Sequence, residues 1–318
     1  MSSSALPPAP ALSPAPAPAP AAAAVGTRQS QPLTYLAALL GACTSAVVTN
    51  PFDIIKVRQQ LSASREIPRL ASVVAGMYRG EGVRSFGNGV TASVVREASY
   101  GTIRMGGYDV VKTWYAPLLA DFPLLQKLAA GITSGAVGAL IASPADLVKV
   151  KMQAVRPEGR PPYPNTLAAF IGVYRSGGGG TAGIKALWRG VGPTVLRASI
   201  LTSSQVGCYD EVKTRLKRSG AREGLGLHFS SSMVAGFIAS ATSQPVDVIK
   251  VRLMNDTSAS GVRRYASAGQ CVAELLKNEG PRAFYKGFAM CWLRLGCHSV
   301  VSLMLFERFR AIFGLAPI

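Results

Sequence analysis

The sequence predicts an all-α membrane protein with six transmembrane helices in three tandem, pseudo-symmetric repeats. Three observations predict it: uncharged runs of membrane length, a motif repeated three times in the same setting, and basic residues crowded into alternate connections. Composition agrees. Of 318 residues, 48% are hydrophobic and 16% are charged, against the roughly 25% charged of ordinary soluble domains. Mean hydropathy is +0.25 and the formal net charge is +18. A chain this apolar is not intrinsically disordered in bulk. Its five cysteines (Cys43, Cys208, Cys271, Cys291, Cys297) show no Cys-x-x-Cys spacing, so it is not a disulfide scaffold. Strong positive charge alone would suit nucleic acid; joined to high apolar content it points to a membrane.

Residues 1–25 are almost wholly Ala, Pro and Ser. Alternating proline cannot propagate a helix, so residues 1–31 are expected to form a disordered Ala/Pro-rich tail. No arginine precedes Arg28 and no amphipathic pattern appears, so the tail makes a poor targeting signal. It also lacks acidic ligands at calcium-loop spacing. Uncharged runs follow at 29–52, 128–145 and 224–246, of 24, 18 and 23 residues. A membrane helix needs roughly 17–25. Between them lie apolar segments with a few charges, at about 88–116, 190–217 and 287–313, which a hydropathy window is expected to score weakly. Odd helices are therefore clean, and even helices carry buried cations.

The repeat decides the architecture. Pro-x-Asp-x-x-Lys begins at Pro51, Pro144 and Pro245, with separations of 93 and 101 residues. A second signature trails each copy: Glu81-Gly82, then Gly183 ahead of Trp188-Arg189-Gly190, then Glu279-Gly280 ahead of Tyr285-Lys286-Gly287. A third ends each even segment, at Tyr108-Asp109 with Lys112, Tyr209-Asp210 with Lys213, and Phe306-Glu307 with Arg310. The repeats run over 32–120, 121–222 and 223–318. The three long connections (56–87, 149–189, 250–286) hold 20 basic and 6 acidic residues, and the two short ones (109–128, 210–227) hold 7 and 5. That bias orients the long connections to the positive side and both termini to the other.

Proline removes one helix hydrogen bond and kinks the helix. Asp and Lys three apart share a helical face. Around a threefold axis, Lys56, Lys149 and Lys250 can each reach an acid of a neighbour among Asp53, Asp146 and Asp247. This makes a ring that closes one end of a pore, and pairing of Lys149 with Asp247 is one such arrangement. Asp109/Lys112, Asp210/Lys213 and Glu307/Arg310 repeat the logic at the far end. Two rings that cannot both be closed around a central site are what alternating access requires. Ala130-Gly131 with Ser134-Gly135, and Ala235-Gly236 with Ala239-Ser240, fit small-residue helix contacts, and Gly41 with Ser45 is a weaker copy.

Arg96, Arg197 and Arg294 each precede the acid of the closing motif by thirteen residues, about 20 Å along a helix. A buried cation in a membrane is costly and marks a pathway, and a guanidinium fork suits carboxylates and phosphates. Three converging arginines call for an anion. Arg104 adds a structural or relay cation. Tyr100 and His298 lie one turn beyond Arg96 and Arg294, where packing and substrate contact are both open.

These residues resemble the mitochondrial carrier family over about 30–315. The resemblance implies six transmembrane helices, three short matrix helices, a multi-pass place in the inner membrane and termini toward the intermembrane space. It implies a matrix gate from Asp53, Lys56, Gln60, Asp146, Lys149, Gln153, Asp247 and Lys250, with Gln60 and Gln153 as glutamine braces and Met254 departing. It implies a cytoplasmic gate from Tyr108, Asp109, Lys112, Tyr209, Asp210, Lys213, Glu307 and Arg310, with Phe306 lacking the tyrosine hydroxyl. Trp188, Arg189, Gly190, Tyr285, Lys286 and Gly287 match its cardiolipin motifs, while Gly87-Asn88-Gly89 departs and puts the first site in doubt. Arg96, Arg197 and Arg294 fall on its substrate contact positions. The triad is similar to the dicarboxylate, 2-oxoglutarate and uncoupling-protein branch, and Tyr100, Ala198, Gln205 and His298 look more like its dicarboxylate and 2-oxoglutarate members than like the fatty-acid-activated uncoupling protein. Glu97 departs from the Gln usual beside the first arginine.

The implied activity is antiport of small anions, chiefly dicarboxylates, by a monomer that needs no metal or cofactor beyond structural cardiolipin. A proton leak or proton-coupled anion transport is the alternative. Membrane-length runs argue against a nucleic-acid binder. An enzyme finds no support: Gly177 to Gly180 lack the Lys-Ser/Thr of a phosphate loop, and no Cys/His cluster suggests a metal.

Overall fold

Inside a bilayer every backbone polar group must find its partner within the protein, so a chain of long apolar segments is driven to helices. The computed structural model describes residues 22–154, 163–218, 225–256 and 264–315, and no strand occurs among them. Six long helices carry the architecture: α1 (Ala22–Leu61), α3 (Val90–Tyr115), α4 (Pro123–Gln153), α7 (Val191–Arg218), α8 (Leu225–Asn255) and α10 (Phe288–Ile312). Short helices α2 (Leu70–Glu81), α5 (Thr166–Ser176), α6 (Gly180–Leu187) and α9 (Ala268–Asn278) fill the long connections, with 3₁₀ turns at Val83–Gly87 and Pro281–Tyr285.

Two expectations need correction here. α1 begins at Ala22, so residues 22–31 of the expected disordered tail are helical. That stretch holds no proline and opens on three alanines, the best helix formers. Residues 1–21 lie outside the described residues. Among the described residues, Pro32–Leu61, Pro123–Gln153 and Pro281–Ile312 are long and apolar enough to span a membrane, each with a mean hydropathy of 1.5. The last even segment therefore scores as strongly as the first two odd ones, because 295–306 carries no Lys, Arg, Asp or Glu. Pro51, Pro144 and Pro245 lie inside α1, α4 and α8, and each helix continues through its proline.

The long helices form a closed ring in the order α1, α3, α4, α7, α8, α10 and back to α1. The three odd helices also meet one another at their C-terminal ends. Small residues set the closest approaches. A Cβ on Gly41 would lie 3.1 Å from the backbone N of Phe306 and 3.2 Å from the carbonyl of Ser302. The copy that looked weakest in sequence is thus the one where two helix backbones touch. Gly135 and Gly138 instead make room for the Tyr100 ring. Among the described residues Gly236 meets nothing within 4 Å, so its likeness to the other copies is not a tight contact with any of them.

Each even helix starts from a left-handed glycine: Gly89 (φ 74°), Gly190 (φ 81°) and Gly287 (φ 76°). A side chain there would meet Gln153, Met254 and Lys56 with Gln60, respectively. Glycine is needed both for the positive φ and to let the even helix begin against the end of an odd helix of the next repeat. Asn88 has φ −61° and ψ 128° and Lys286 has φ −60° and ψ 130°. The departing Gly87-Asn88-Gly89 therefore keeps the backbone of its counterpart. In the second repeat the glycine matching Gly82 (φ 74°) and Gly280 (φ 81°) is Gly179 (φ 67°). The sequence match to Gly183 is therefore four residues out of register, and Gly178 stands where the others have Glu81 and Glu279.

Those two glutamates hold the connections to the odd helices. Arg58 grips Glu81 through both Nη atoms at 2.7 and 2.8 Å, and Arg252 grips Glu279 at 2.5 and 2.8 Å. Arg252 also donates to the carbonyls of Gln60 and Ser62, both at 2.9 Å. The latch therefore joins the third repeat to the first. Capping settles the short helices. Asn165 Oδ1 accepts from the Ala168 N–H, and Ser267 Oγ accepts from that of Gln270. Gln270 reaches back to the N–H of Ala266, a variant of the capping box.

Two predictions follow from this packing. Gly41→Leu should destabilise the detergent-solubilised protein by about 1–3 kcal/mol, whereas Gly236→Ala should be near neutral; thermal unfolding reads both. Burial pushes the Glu279 carboxyl up, but Arg252 and Lys286 outweigh it and hold it below the usual glutamate range. A depressed folded value means stability present above the unfolded value and lost as pH falls through the folded one. Glu279→Gln should cost about 3 kcal/mol at neutral pH, with the gap to the parent closing only as pH drops below the ordinary glutamate range.

Candidate functional site

The motif residues meet where α1, α4 and α8 converge. Lys149 Nζ lies 2.6 Å from Asp53 Oδ2, Lys250 Nζ lies 2.8 Å from Asp146 Oδ2, and Lys56 Nζ lies 2.6 Å from Asp247 Oδ2. Each lysine reaches the acid of the preceding repeat, so the partner of Lys149 is Asp53 and the Asp247 pairing is corrected. All six side chains are buried.

The arginines complete the pattern from the even helices. Arg96 Nε lies 2.8 Å from Asp146 Oδ1, Arg197 Nε 2.6 Å from Asp247 Oδ1, and Arg294 Nε 3.0 Å from Asp53 Oδ1. Every aspartate therefore holds one lysine and one arginine, and its two partners come from the other two repeats. The three guanidiniums do gather about one axis. The anions they meet in this conformation are the protein's own carboxylates. The space left between them is about 60 Å³, lined by these residues with Val57, Val150 and Val251. That is far below the ~300–1,000 Å³ of pockets that engulf a small ligand.

Two features escaped the sequence reading although a signal was present. Val57, Val150 and Val251 each follow a motif lysine and join Leu147, Val173 and Met254 in one buried cluster beneath the ring. The repeated Lys-Val dipeptide was the available clue. The second is the arginine–aspartate pairing itself, which residue spacing alone does not encode.

The glutamine braces differ from expectation. Gln60 Nε2 donates to Asp247 Oδ2 at 2.8 Å and so supports the Lys56 pair. Gln153 Nε2 turns to Asn50 Oδ1 at 3.2 Å and does not reach the Asp53–Lys149 pair. Ser93 Oγ also donates to that Asn50 oxygen, at 3.0 Å, and the N–H groups of Asn50 are taken by the carbonyls of Phe86 and Asn88. A short polar network thus draws Gln153 away. Met254 is fully buried in the apolar cluster.

Tyr100 lies between two cations, with the Arg96 and Arg104 guanidinium carbons 5.3 and 5.9 Å from its ring centre. It also packs on α4. Ala198 is buried beside Arg197. His298 Nδ1 lies 2.9 Å from Ser45 Oγ, and that hydroxyl donates to the His298 carbonyl at 3.0 Å. With the hydroxyl proton spent there, Nδ1–H is the donor in the neutral ring and Nε2 keeps its lone pair. The side chains of Gln205, Tyr209, Asp210 and Lys213 lie outside the described residues.

The opposite end looks different. Asp109, Lys112 and Glu307 are exposed, and among the described residues no ion pair joins them. Asp109 accepts instead from Tyr35 Oη at 3.2 Å. Arg310 stacks on Phe306 at 5.5 Å, and Tyr108 is half-buried on α3. One ring is closed; at the other end, Asp109, Lys112 and Glu307 are not joined to one another.

The basic side chains at the expected lipid motifs point inward. Lys286 is fully buried; its Nζ donates to the carbonyls of Ser62 and Ser64 at 2.8 and 2.5 Å and pairs with Glu279. Arg189 pairs with Asp256 and donates to the Tyr265 carbonyl at 3.1 Å. Trp188 Nε1 donates to Leu140 O at 3.0 Å. The half-exposed Tyr285 ring packs edge-on against Phe288. The Lys286 side chain is thus spent within the protein. A cavity of about 520 Å³ opens beside Gly190, between α5–α6 and the start of α9, lined in part by Lys151 and Lys185.

Charge reversal tests the ring. Lys149→Asp should lower transport at least ~10-fold by leaving like charges buried together. Adding Asp53→Lys should restore part of it, incompletely because Asp53 also serves Arg294. Adding Asp247→Lys should restore none. Initial uptake rates in proteoliposomes separate the two pairings.

Comparison with known proteins agrees with the threefold plan. The family model described as "Mitochondrial carrier protein" matches three times, over 28–117, 120–220 and 222–316. The chain is 38% identical over 300 residues to the mitochondrial substrate carrier family protein ucpB of Dictyostelium discoideum, covering 92% of this chain and 99% of the relative. It is 37% identical to mitochondrial uncoupling protein 5 of Arabidopsis thaliana, covering 87% of this chain and 95% of the relative. It is 33% identical to a probable mitochondrial 2-oxoglutarate/malate carrier protein of Dictyostelium discoideum, covering 90% and 92%. A threefold match across nearly the whole described structure leaves one conclusion: this chain belongs to the mitochondrial carrier family.

Proposed function

We propose that this carrier exchanges small dicarboxylates, such as malate, succinate and 2-oxoglutarate, and also phosphate, across the inner mitochondrial membrane by alternating access. One observation carries the reading: each ring aspartate is shared between a gate lysine and a triad arginine. A carboxylate arriving from outside can take the arginine's side of that contact. It then supplies the charge the aspartate supplied, and the aspartate is released to move with its lysine. Loading the site and loosening the ring become one event. Without that exchange, parting a buried ion pair leaves uncompensated charge at a cost of about 3–5 kcal/mol.

The remaining assignments follow from the same frame. The closed ring is the matrix gate and the exposed Asp109, Lys112 and Glu307 belong to the cytoplasmic gate, so the described conformation faces the intermembrane space, as do the termini. The carrier works as a monomer, since the arginines and both gates come from one chain. Cardiolipin occupies the flank beside Gly190, contacting backbone N–H groups at the start of α7 and the Lys185 side chain. The kinship to a probable 2-oxoglutarate/malate carrier supports the substrate class. A second reading, a proton leak, is favoured by the similarity to proteins named as uncoupling proteins and by the buried Glu97.

Purified protein in malate-loaded liposomes should take up labelled malate and 2-oxoglutarate. Arg197→Ala and Arg294→Ala should each lower exchange about 100-fold, the scale expected for removing one partner of a buried charge pair, with normal membrane insertion. Retained exchange in both variants would remove the arginines from the binding site. Fatty-acid-dependent proton flux without anion exchange would select the second reading.

A further inference from the structure

Glu97 breaks the threefold pattern at the centre of the site. The residues that follow the other two arginines are Ala198 and Leu295. The Glu97 side chain is buried, and its Oε1 pairs with Arg96 Nη1. Nε of the same guanidinium donates to Asp146 Oδ1 at 2.8 Å. Arg96 thus serves two carboxylates. Arg197 and Arg294 each have one aspartate oxygen beside Nε, but the N–H is not aimed at it and remains without a hydrogen-bond partner. Two of the three guanidiniums face one carboxylate each; the third faces two.

Charge arithmetic gives this asymmetry a consequence. The three Asp–Lys pairs of the ring sum to zero, the three arginines add three positive charges, and Glu97 removes one. His298, with Nδ1 engaged by Ser45, adds none when neutral, and Arg104 is exposed beyond the Tyr100 ring. The site is left with two positive charges and two guanidiniums that each face a single carboxylate. Uncompensated charge in a low-dielectric interior is expensive in either direction. A dianion with two carboxylates matches both counts. A trianion brings one charge too many and finds Arg96 already paired with a second carboxylate; a monoanion leaves one arginine's charge unanswered.

We propose that Glu97 is the specificity-determining residue of this site: by neutralising Arg96 it selects dianions clamped between Arg197 and Arg294 and rejects trianions. The inference rests on the anion-exchange reading and deepens it.

The test compares butyrate, succinate and tricarballylate at neutral pH, where their carboxyl groups are ionised. Two readouts are taken on the purified full chain: thermal stabilisation in detergent and homo-exchange in proteoliposomes. The parent should prefer succinate to tricarballylate by ~10-fold or more in exchange, equal to about 1.4 kcal/mol. Glu97→Gln should shrink that ratio at least ~10-fold or invert it, whereas Glu97→Asp should keep it. An unchanged ratio in a Glu97→Gln protein that still exchanges succinate overturns the proposal. If the parent exchanges no dicarboxylate, the transport reading fails, and the stabilisation order of the three ligands decides the charge assignment separately. Should Glu97→Gln not fold, the parent series decides: stabilisation by tricarballylate equal to or above that by succinate defeats the assignment.

Discussion

Asp53, Asp146 and Asp247 are each held by a lysine from one other repeat and an arginine from the third. No repeat can satisfy its own motif. An acid buried at membrane depth without a partner is costly, so each unit is completed only by the other two, and the threefold arrangement is self-enforcing. The carboxylate that closes the ring is also the one that meets an arginine.

The apolar layer beneath the ring keeps those contacts strong. Val57, Val150 and Val251 stand one residue past each lysine and pack with Leu147, Val173 and Met254. They exclude water from the ring's inner side, which raises the strength of every ion pair above it. The layer also explains how Met254 is accommodated where the other repeats have glutamine: it lengthens the apolar seal in place of a hydrogen bond. Gln153 leaves its ion pair for Asn50. The ring is therefore chemically uneven, with a glutamine hydrogen bond on Asp247 and none from Gln153 on the Asp53–Lys149 pair.

Glu97 is the strongest departure from symmetry and lies nearest the centre. In sequence it reads only as an acid beside an arginine. In the fold it gives Arg96 two carboxylate partners where Arg197 and Arg294 have one each. The latch of Arg252, Glu279 and Lys286 plays a different part, tying the third repeat's connection to the first through the carbonyls of Gln60, Ser62 and Ser64.

The chain by itself determined the helical class, the three repeats and the identity of the charged positions, because periodic burial in a membrane forces the same polar residues to recur at the same places. Pro51, Pro144 and Pro245 with their acids and lysines were legible for that reason, as were Arg96, Arg197 and Arg294. Partner choice was not legible. That Lys149 meets Asp53 and not Asp247, that each arginine meets a gate aspartate, and that Lys286 turns inward depend on the direction of rotation around the ring. Close approach was hidden too: Gly41 touches a neighbouring backbone and Gly236 does not, although both sit in small-residue patterns. Spacing along a chain records what faces inward; only the packed ring of helices records which inward-facing groups meet, since that depends on distances between segments roughly a hundred residues apart.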